Sequence, residues 1–162
     1  MDSRLEGNEP ILKDLCSLAQ LDIDAVFAYS AAIEKVDVEA VKVTLERFKK
    51  HHERHISELS LIIARLGGTP PSLSLDFKGY LIEGLTRIRS TSGTSGALKA
   101  IHGNELLTNS IYEKALSWDL PIDILELIRK NKKDEEIHLG FIDAAVENQV
   151  WKSDNLGAQA AY

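Results

Sequence analysis

The chain is poor in cysteine, in uninterrupted apolar sequence and in net positive charge. Cys16 is the only cysteine among 162 residues, which excludes an internal disulfide. Charged residues interrupt every apolar run, so we expect no membrane-spanning segment. Residues 1–6 lack the apolar core of a secretory signal, and we therefore expect a cytoplasmic protein. The net charge of −6 argues against a nucleic-acid partner bound through its phosphates.

Helical periodicity dominates the rest of the sequence. With 44% hydrophobic and 27% charged residues, the composition and length suit one globular domain, which we take as residues 1–162. Apolar residues at helical spacing, together with Gly and Pro at the breaks, predict four long helices at about 10–36, 38–66, 95–118 and 121–150. Asp37 is the predicted N-cap of the second helix. No strand pattern competes with this interpretation.

The links between the predicted helices differ in length, and this determines the expected topology. Short links within each pair give two antiparallel helical hairpins. The link at 67–94 is a long crossover, in which Leu81, Leu85 and Ile88 indicate a short extra helix. Two hairpins joined by one long crossover predict an all-α, four-helix bundle with ferritin-like connectivity.

The two hairpins share an internal repeat with an offset of 83 residues. The offset takes His55 to His138 and brings the histidine-rich cluster at 51–55 onto the acidic cluster at 134–138. Other pairs with the same offset are Asp22 and Glu105, Tyr29 and Tyr112, and His52 and Glu135. The chain is therefore predicted to contain two copies of one hairpin, each with polar donors in its apolar stripe.

The donors of each hairpin are predicted to lie level with one another. Asp22 and His52 are centred on the turn at Asp37, while Glu105 and Glu135 are centred on Leu120. Residues three apart share a helix face, so His55 and His138 accompany them inward. Buried carboxylates and imidazoles are costly unless something such as a metal compensates them. We predict a metal site built from Asp22, His52, His55, Glu105, Glu135 and His138.

Each element of this pattern also has a simpler interpretation. Taken alone, the cluster at 51–55 is typical of a solvated helix face, and Glu-x-x-His is a common surface ion pair. His102 is either an additional ligand, a donor beside the site or, as we favour, a nearby polar residue. Tyr29 and Tyr112 either hydrogen-bond a ligand, donate an electron or, as we favour, pack in the core with satisfied hydroxyls. We expect His51, Glu53 and Glu136 at the surface.

Three segments resemble a known family. Residues 21–29, 48–59 and 66–71 resemble bacterial ferritin-like proteins of largely uncharacterised function, which are distant relatives of rubrerythrin and bacterioferritin. The resemblance covers about residues 10–150. In the wider pattern, two helices each supply one Glu and the other two each supply Glu-x-x-His. Glu105 and the Glu135–His138 pair match this pattern, as does His55, whereas Asp22 and His52 each replace a Glu.

The resemblance implies a di-iron, or other di-metal, centre inside the bundle, and the activity expected from it is the oxidation of Fe(II) by dioxygen or peroxide. Three carboxylates would offset two ferrous ions incompletely, so oxide, hydroxide or a nearby acid such as Asp24 would have to contribute. His52 also favours softer ions, including zinc. Non-catalytic binding of zinc or manganese, and a metal-free stress or scaffold bundle, therefore remain alternatives. A homodimer is left open, and Cys16 alone cannot form the cysteine-rich iron module of rubrerythrins.

Overall fold

The computed structural model describes residues 8–75 and 82–152, and helices are the only regular secondary structure in that part of the chain. Both ends of each of the four long helices fall within three residues of the predicted bounds. Leu81, which was assigned to the short extra helix, lies outside the described residues. The five helices are α1 (Glu9–Ile33), α2 (Glu39–Arg65), α3 (Ile82–Arg89), α4 (Gly93–Ala115) and α5 (Ile122–Glu147).

The long helices pack as the link lengths predict. Helix α1 lies along α2, and α4 lies along α5, so each sequential pair forms a hairpin. The hairpins meet where α1 contacts α4 and α2 contacts α5, while the short α3 packs on α1 and α4. This arrangement turns one face of every long helix toward the other three.

Buried apolar side chains form two clusters separated along the helices. On α2, the first cluster ends at Phe48 and the second begins at Leu59. His52 and His55 lie between them, and both are fully buried. The apolar core thus has a polar layer in its middle, which is where the predicted donors fall.

Asp37 does not cap α2 as predicted. The N-cap is Val38, without a side-chain hydrogen bond. The Asp37 carboxylate instead accepts hydrogen bonds from the backbone N–H, at 3.3 Å, and the hydroxyl of Thr94 in the first turn of α4. The Thr94 hydroxyl in turn accepts from the backbone N–H groups of Asp37 and Val38, at 3.0 and 3.1 Å. The sequence pattern around Asp37 indicated a cap within its own hairpin, but its contact with Thr94 links the two hairpins.

Helix α1 also departs from one expectation. By length and composition it is apolar enough to cross a membrane, although we expected no such segment. Its inner face is buried against α2, α3 and α4, and it includes the buried carboxyl groups of Asp22 and Asp24. A buried core helix passes the same test, so this single helix gives no evidence for a membrane.

The contact of α3 with α4 is closest at Gly84. A Cβ added there would lie 1.7 Å from Oδ1 of Asn104, which is far inside van der Waals contact. Glycine therefore lets α3 approach α4 immediately beside Glu105, the donor residue that follows Asn104.

Candidate metal centre

The six predicted donors lie together in the polar layer between the two apolar clusters. None is more than 1% exposed. Each of the four long helices contributes at least one of them: Asp22 from α1, His52 and His55 from α2, Glu105 from α4, and Glu135 and His138 from α5.

Four of these residues form what we call the first donor group: Asp22, His52, His55 and Glu135. Oδ1 of Asp22 lies 2.7 Å from Nδ1 of His52 and 3.2 Å from Nδ1 of His55. Oε1 of Glu135 lies 3.5 and 3.3 Å from the same two nitrogens. Metal–ligand bonds of about 2.0–2.1 Å in a tetrahedron separate the ligand atoms by roughly 3.3 Å. This group could therefore hold a metal ion with little rearrangement.

The second donor group comprises His52, Glu105, Glu135 and His138. Nδ1 of His138 lies 3.5 Å from Oε2 of Glu135 and 3.9 Å from Oε2 of Glu105. Nε2 of His52 lies 3.9 Å from Oε1 of Glu105. The spacing is wider than in the first group, but every member is again buried.

The second donor group consists largely of buried atoms that lack a hydrogen-bond partner among the described residues. These atoms are Nε2 of His52, Oε2 of Glu105, Oε1 and Oε2 of Glu135, and Nδ1 of His138. Buried polar atoms in native proteins are nearly always satisfied, since leaving one unpaired costs about 1–3 kcal/mol. One ligand atom from each of the four residues lies within 4.8 Å of the other three, so a single cation could contact one atom of each residue.

Two tyrosines hold the acids of the site from the opposite hairpin. The hydroxyl of Tyr29 donates to Oε1 of Glu105 at 2.5 Å, and that of Tyr112 donates to Oδ2 of Asp22 at 2.6 Å. Burial, followed by the neighbouring carboxylates, raises the pKa of both hydroxyls well above the ordinary value. Both therefore remain donors, which confirms the prediction of buried tyrosines with satisfied hydroxyls.

Two residues beyond the predicted set contact the outward nitrogens of the site histidines. Nε2 of His55 lies 3.0 Å from Oδ2 of Asp134, whose carboxylate also pairs with Arg54. Nε2 of His138 lies 3.0 Å from Nδ1 of His51. Each outer contact leaves Nδ1 of the site histidine directed at the other donors. Metal-bound histidines commonly have their second nitrogen fixed in this way, which orients the ring.

The prediction that His51 lies at the surface is only partly confirmed, because the residue is half-buried. Its side chain is only 23% exposed, and its ring stacks on that of His138. The role of Asp134 was missed altogether. The sequence held a signal for it, because the offset of 83 residues relates His51 to Asp134, so that both outer contacts occupy the same position of the repeat.

The charges of the site compensate one another. Burial opposes the protonation of His55, but Asp22 and Glu135 outweigh it and raise the pKa of His55 to about 9. Burial likewise acts to lower the pKa of His52, but the surrounding carboxylates raise it well above its usual range. Burial alone would raise the pKa of Asp22 and of Glu135. The neighbouring histidines have the larger combined effect, so the pKa of both carboxyl groups is lowered. Asp22 and Glu135 are thus ionised and His52 and His55 protonated near neutral pH, and a cation would take the place of those protons.

The remaining polar candidates lie outside both donor groups. His102 contacts Asp143 at 2.7 Å, and its side chain is 35% exposed, which agrees with the favoured prediction of a nearby polar residue. Asp24 accepts a hydrogen bond from Gln20 at 2.8 Å. Glu53 and Glu136 are exposed, as predicted.

Two residues at equivalent positions of the repeat, Phe48 and Asn131, differ in character. The ring of Phe48 packs on that of His138, with the centroids 4.2 Å apart. The residue that the repeat places opposite Phe48 is Asn131, which is fully buried, and neither of its amide atoms completes a hydrogen bond within the described part of the chain. It lies close enough to the Tyr112 hydroxyl to act on its pKa, in the lowering direction.

Comparison with known proteins assigns the chain to a family. Residues 10–117 match the domain of unknown function DUF2383. Because this match covers more than half of the sequence, the protein belongs to the DUF2383 family. The matched segment includes Asp22, His52, His55 and Glu105, and it ends before the donors on α5. No curated protein matches the chain.

Proposed function

We propose that the protein is a ferritin-like metal protein that binds two ions inside the helical bundle, one in each donor group. Iron is the first candidate, and oxidation of Fe(II) by dioxygen or peroxide is the proposed reaction. The observation that carries this proposal is the second donor group, in which buried and unpartnered oxygen and nitrogen atoms converge on one space.

The distribution of donors over the helices supports the ferritin-like assignment. Ferritin-like sites draw one acid from each of two helices and a pair of residues three apart from each of the others. Here α1 and α4 supply Asp22 and Glu105, and α2 and α5 supply the pairs ending in His55 and His138. The long connection between α2 and α4 agrees with the crossover of that fold.

The protein's own residues would prepare the site for such ions. When bound, iron supplies the electron transfer to the oxidant, which these side chains cannot supply themselves. The carboxylates offset the ionic charge, and Tyr29 and Tyr112 hold two of them in place. Asp134 and His51 orient the two histidine rings. The apolar clusters on either side keep bulk water away.

Anaerobic titration of metal-stripped protein with Fe(II), followed by admission of oxygen, tests the proposal. We expect two ions per chain and an oxidation band in the ultraviolet or visible spectrum. His138→Ala should lose oxidation while keeping its helical circular dichroism, and His102→Ala, which alters a histidine outside both groups, should behave as wild type. Absence of iron binding, or unchanged turnover in folded His138→Ala, would refute the assignment.

Zinc bound without catalysis is the second candidate function. Two imidazoles and two carboxylates at near-tetrahedral spacing in the first donor group favour zinc over an all-oxygen ion such as magnesium. Protein that retains zinc against equimolar Fe(II) and shows no oxygen-dependent consumption of Fe(II) would support this function over the first.

A further inference from the structure

His52 differs from the other two histidines of the site in how its ring is used. His55 and His138 each direct Nδ1 at the donors and Nε2 at an outer residue. His52 directs Nδ1 at Asp22, 2.7 Å away, and Nε2 toward Glu105, 3.9 Å away. Its Nε2 has no hydrogen-bond partner in the described part of the chain. Both ring nitrogens therefore face donors, one in each group.

Given the two-ion site proposed above, we propose that the imidazole ring of His52 bridges the ions, with Nδ1 bound to the ion of the first donor group and Nε2 to the ion of the second. Glu135 is the other shared residue, and it offers one carboxylate oxygen to each group. His55 and His138 cannot bridge in this way, because Asp134 and His51 lie against their outer nitrogens.

A bridging His52 ring must lose its protons to bind both ions. In the protonated ring both nitrogens carry a proton, and each proton must leave for solvent before its nitrogen can bind an ion, so the bridge releases two protons. The ring then carries one negative charge. Together with the carboxylates of Asp22, Glu105 and Glu135 it brings four negative charges to two divalent cations. The bridge thus restores the charge that is lost when histidine replaces a carboxylate.

A ring bridge also sets the separation of the ions. Metal–nitrogen bonds of about 2 Å at opposite sides of one imidazole place the ions roughly 6 Å apart. Two-metal sites with closely shared ligands hold their ions about 3.5–4 Å apart. The spacing therefore distinguishes a bridge through His52 from a bridge through Glu135 alone.

Zinc is a suitable probe because it is redox-inert and accepts both nitrogen and oxygen ligands. We would determine the zinc content of the loaded protein and then locate the ions in crystals by anomalous scattering. Two ions roughly 6 Å apart, each bound to a different nitrogen of His52, are expected. Two ions about 3.5–4 Å apart, or His52 bound to one ion only, would overturn the bridge but leave the two-ion site. One ion per chain or none would overturn both.

Magnetic coupling between Cu(II) ions provides the matched test in solution. An imidazole bridge couples two Cu(II) spins, so wild-type protein with two copper ions should give less than its full two-spin signal at low temperature. His52→Gln, which replaces the ring with a carboxamide that has no imidazole nitrogens, should lose this coupling, and His102→Gln should keep it. A full uncoupled signal from the wild type, or coupling that persists in His52→Gln, would refute the bridge.

Discussion

Raising the pH is expected to destabilise the metal-free protein, because protons on buried histidines compensate buried carboxylates there. The pKa of His55 is about 9 in the folded protein, compared with its ordinary value of 6.5. A group whose folded-state pKa is raised contributes its full stabilisation below the ordinary value and loses it as the pH rises through the folded value. The window for His55 is therefore pH 6.5 to about 9.

The size of the loss follows from the same shift. Each unit of pKa difference corresponds to about 1.4 kcal/mol, so His55 should account for about 3 kcal/mol of unfolding free energy across the window. His52 acts in the same direction, because its pKa is also raised. A change of this size is a large fraction of the 5–15 kcal/mol that is typical of a small domain.

Urea unfolding of metal-stripped protein at several pH values between 6 and 9, followed by circular dichroism, measures the effect. His55→Gln should be less stable at pH 6 and should lose part of the pH dependence, while His102→Gln should keep the wild-type profile. Loading with zinc should oppose the trend, since the metal competes with protons and binds more tightly as the pH rises. An unfolding free energy that stays constant or increases from pH 6.5 to 9 would refute the charge compensation described for the site.

Three substitutions test individual contacts by the same unfolding assay. Tyr112→Phe removes the hydroxyl that donates to Asp22 and should cost about 1.5–3 kcal/mol, because the hydrogen bond is buried and its acceptor is charged. An unchanged stability would show that the carboxylate does not depend on it. Gly84→Ala drives a methyl group into Asn104 and should cost about 1–3 kcal/mol by overpacking. Gly140→Ala meets nothing within 4 Å in the interior of α5 and should instead stabilise by about 0.5–1 kcal/mol. Equal effects of the two glycine substitutions would contradict the close approach of α3.

The sequence was sufficient for the parts of the structure that depend on spacing along one helix or across one turn. Helix bounds follow from apolar periodicity and from breakers such as Pro121. The level of the donors follows from counting outward from each turn, and Asp22 and His52 are indeed in contact at 2.7 Å. The burial of Tyr29 and Tyr112 follows from their place in the apolar stripe.

Contacts between the hairpins were harder to predict, because helix periodicity fixes the face of a residue but not its partner across the bundle. His51 lies beside the inward stripe and was assigned to solvent, yet the other hairpin brings His138 against it. Asp134 was overlooked for the same reason. Asp37 has the local signature of a cap, but a tertiary contact with Thr94 takes its carboxylate. These positions need the relative rotation of the hairpins, which no single-helix pattern contains.

The division of donors between the hairpins has a consequence for folding. Each donor group has three residues from one hairpin and one residue from the other. Glu135 of the second hairpin completes the first group, and His52 of the first hairpin completes the second group. A hairpin can form from contacts that are near in sequence, but neither hairpin alone has four donors. Bound ions would therefore stabilise the docked pair more than either half. In the absence of metal, the amides that line the boundary between the hairpins should exchange with deuterium before those inside each hairpin.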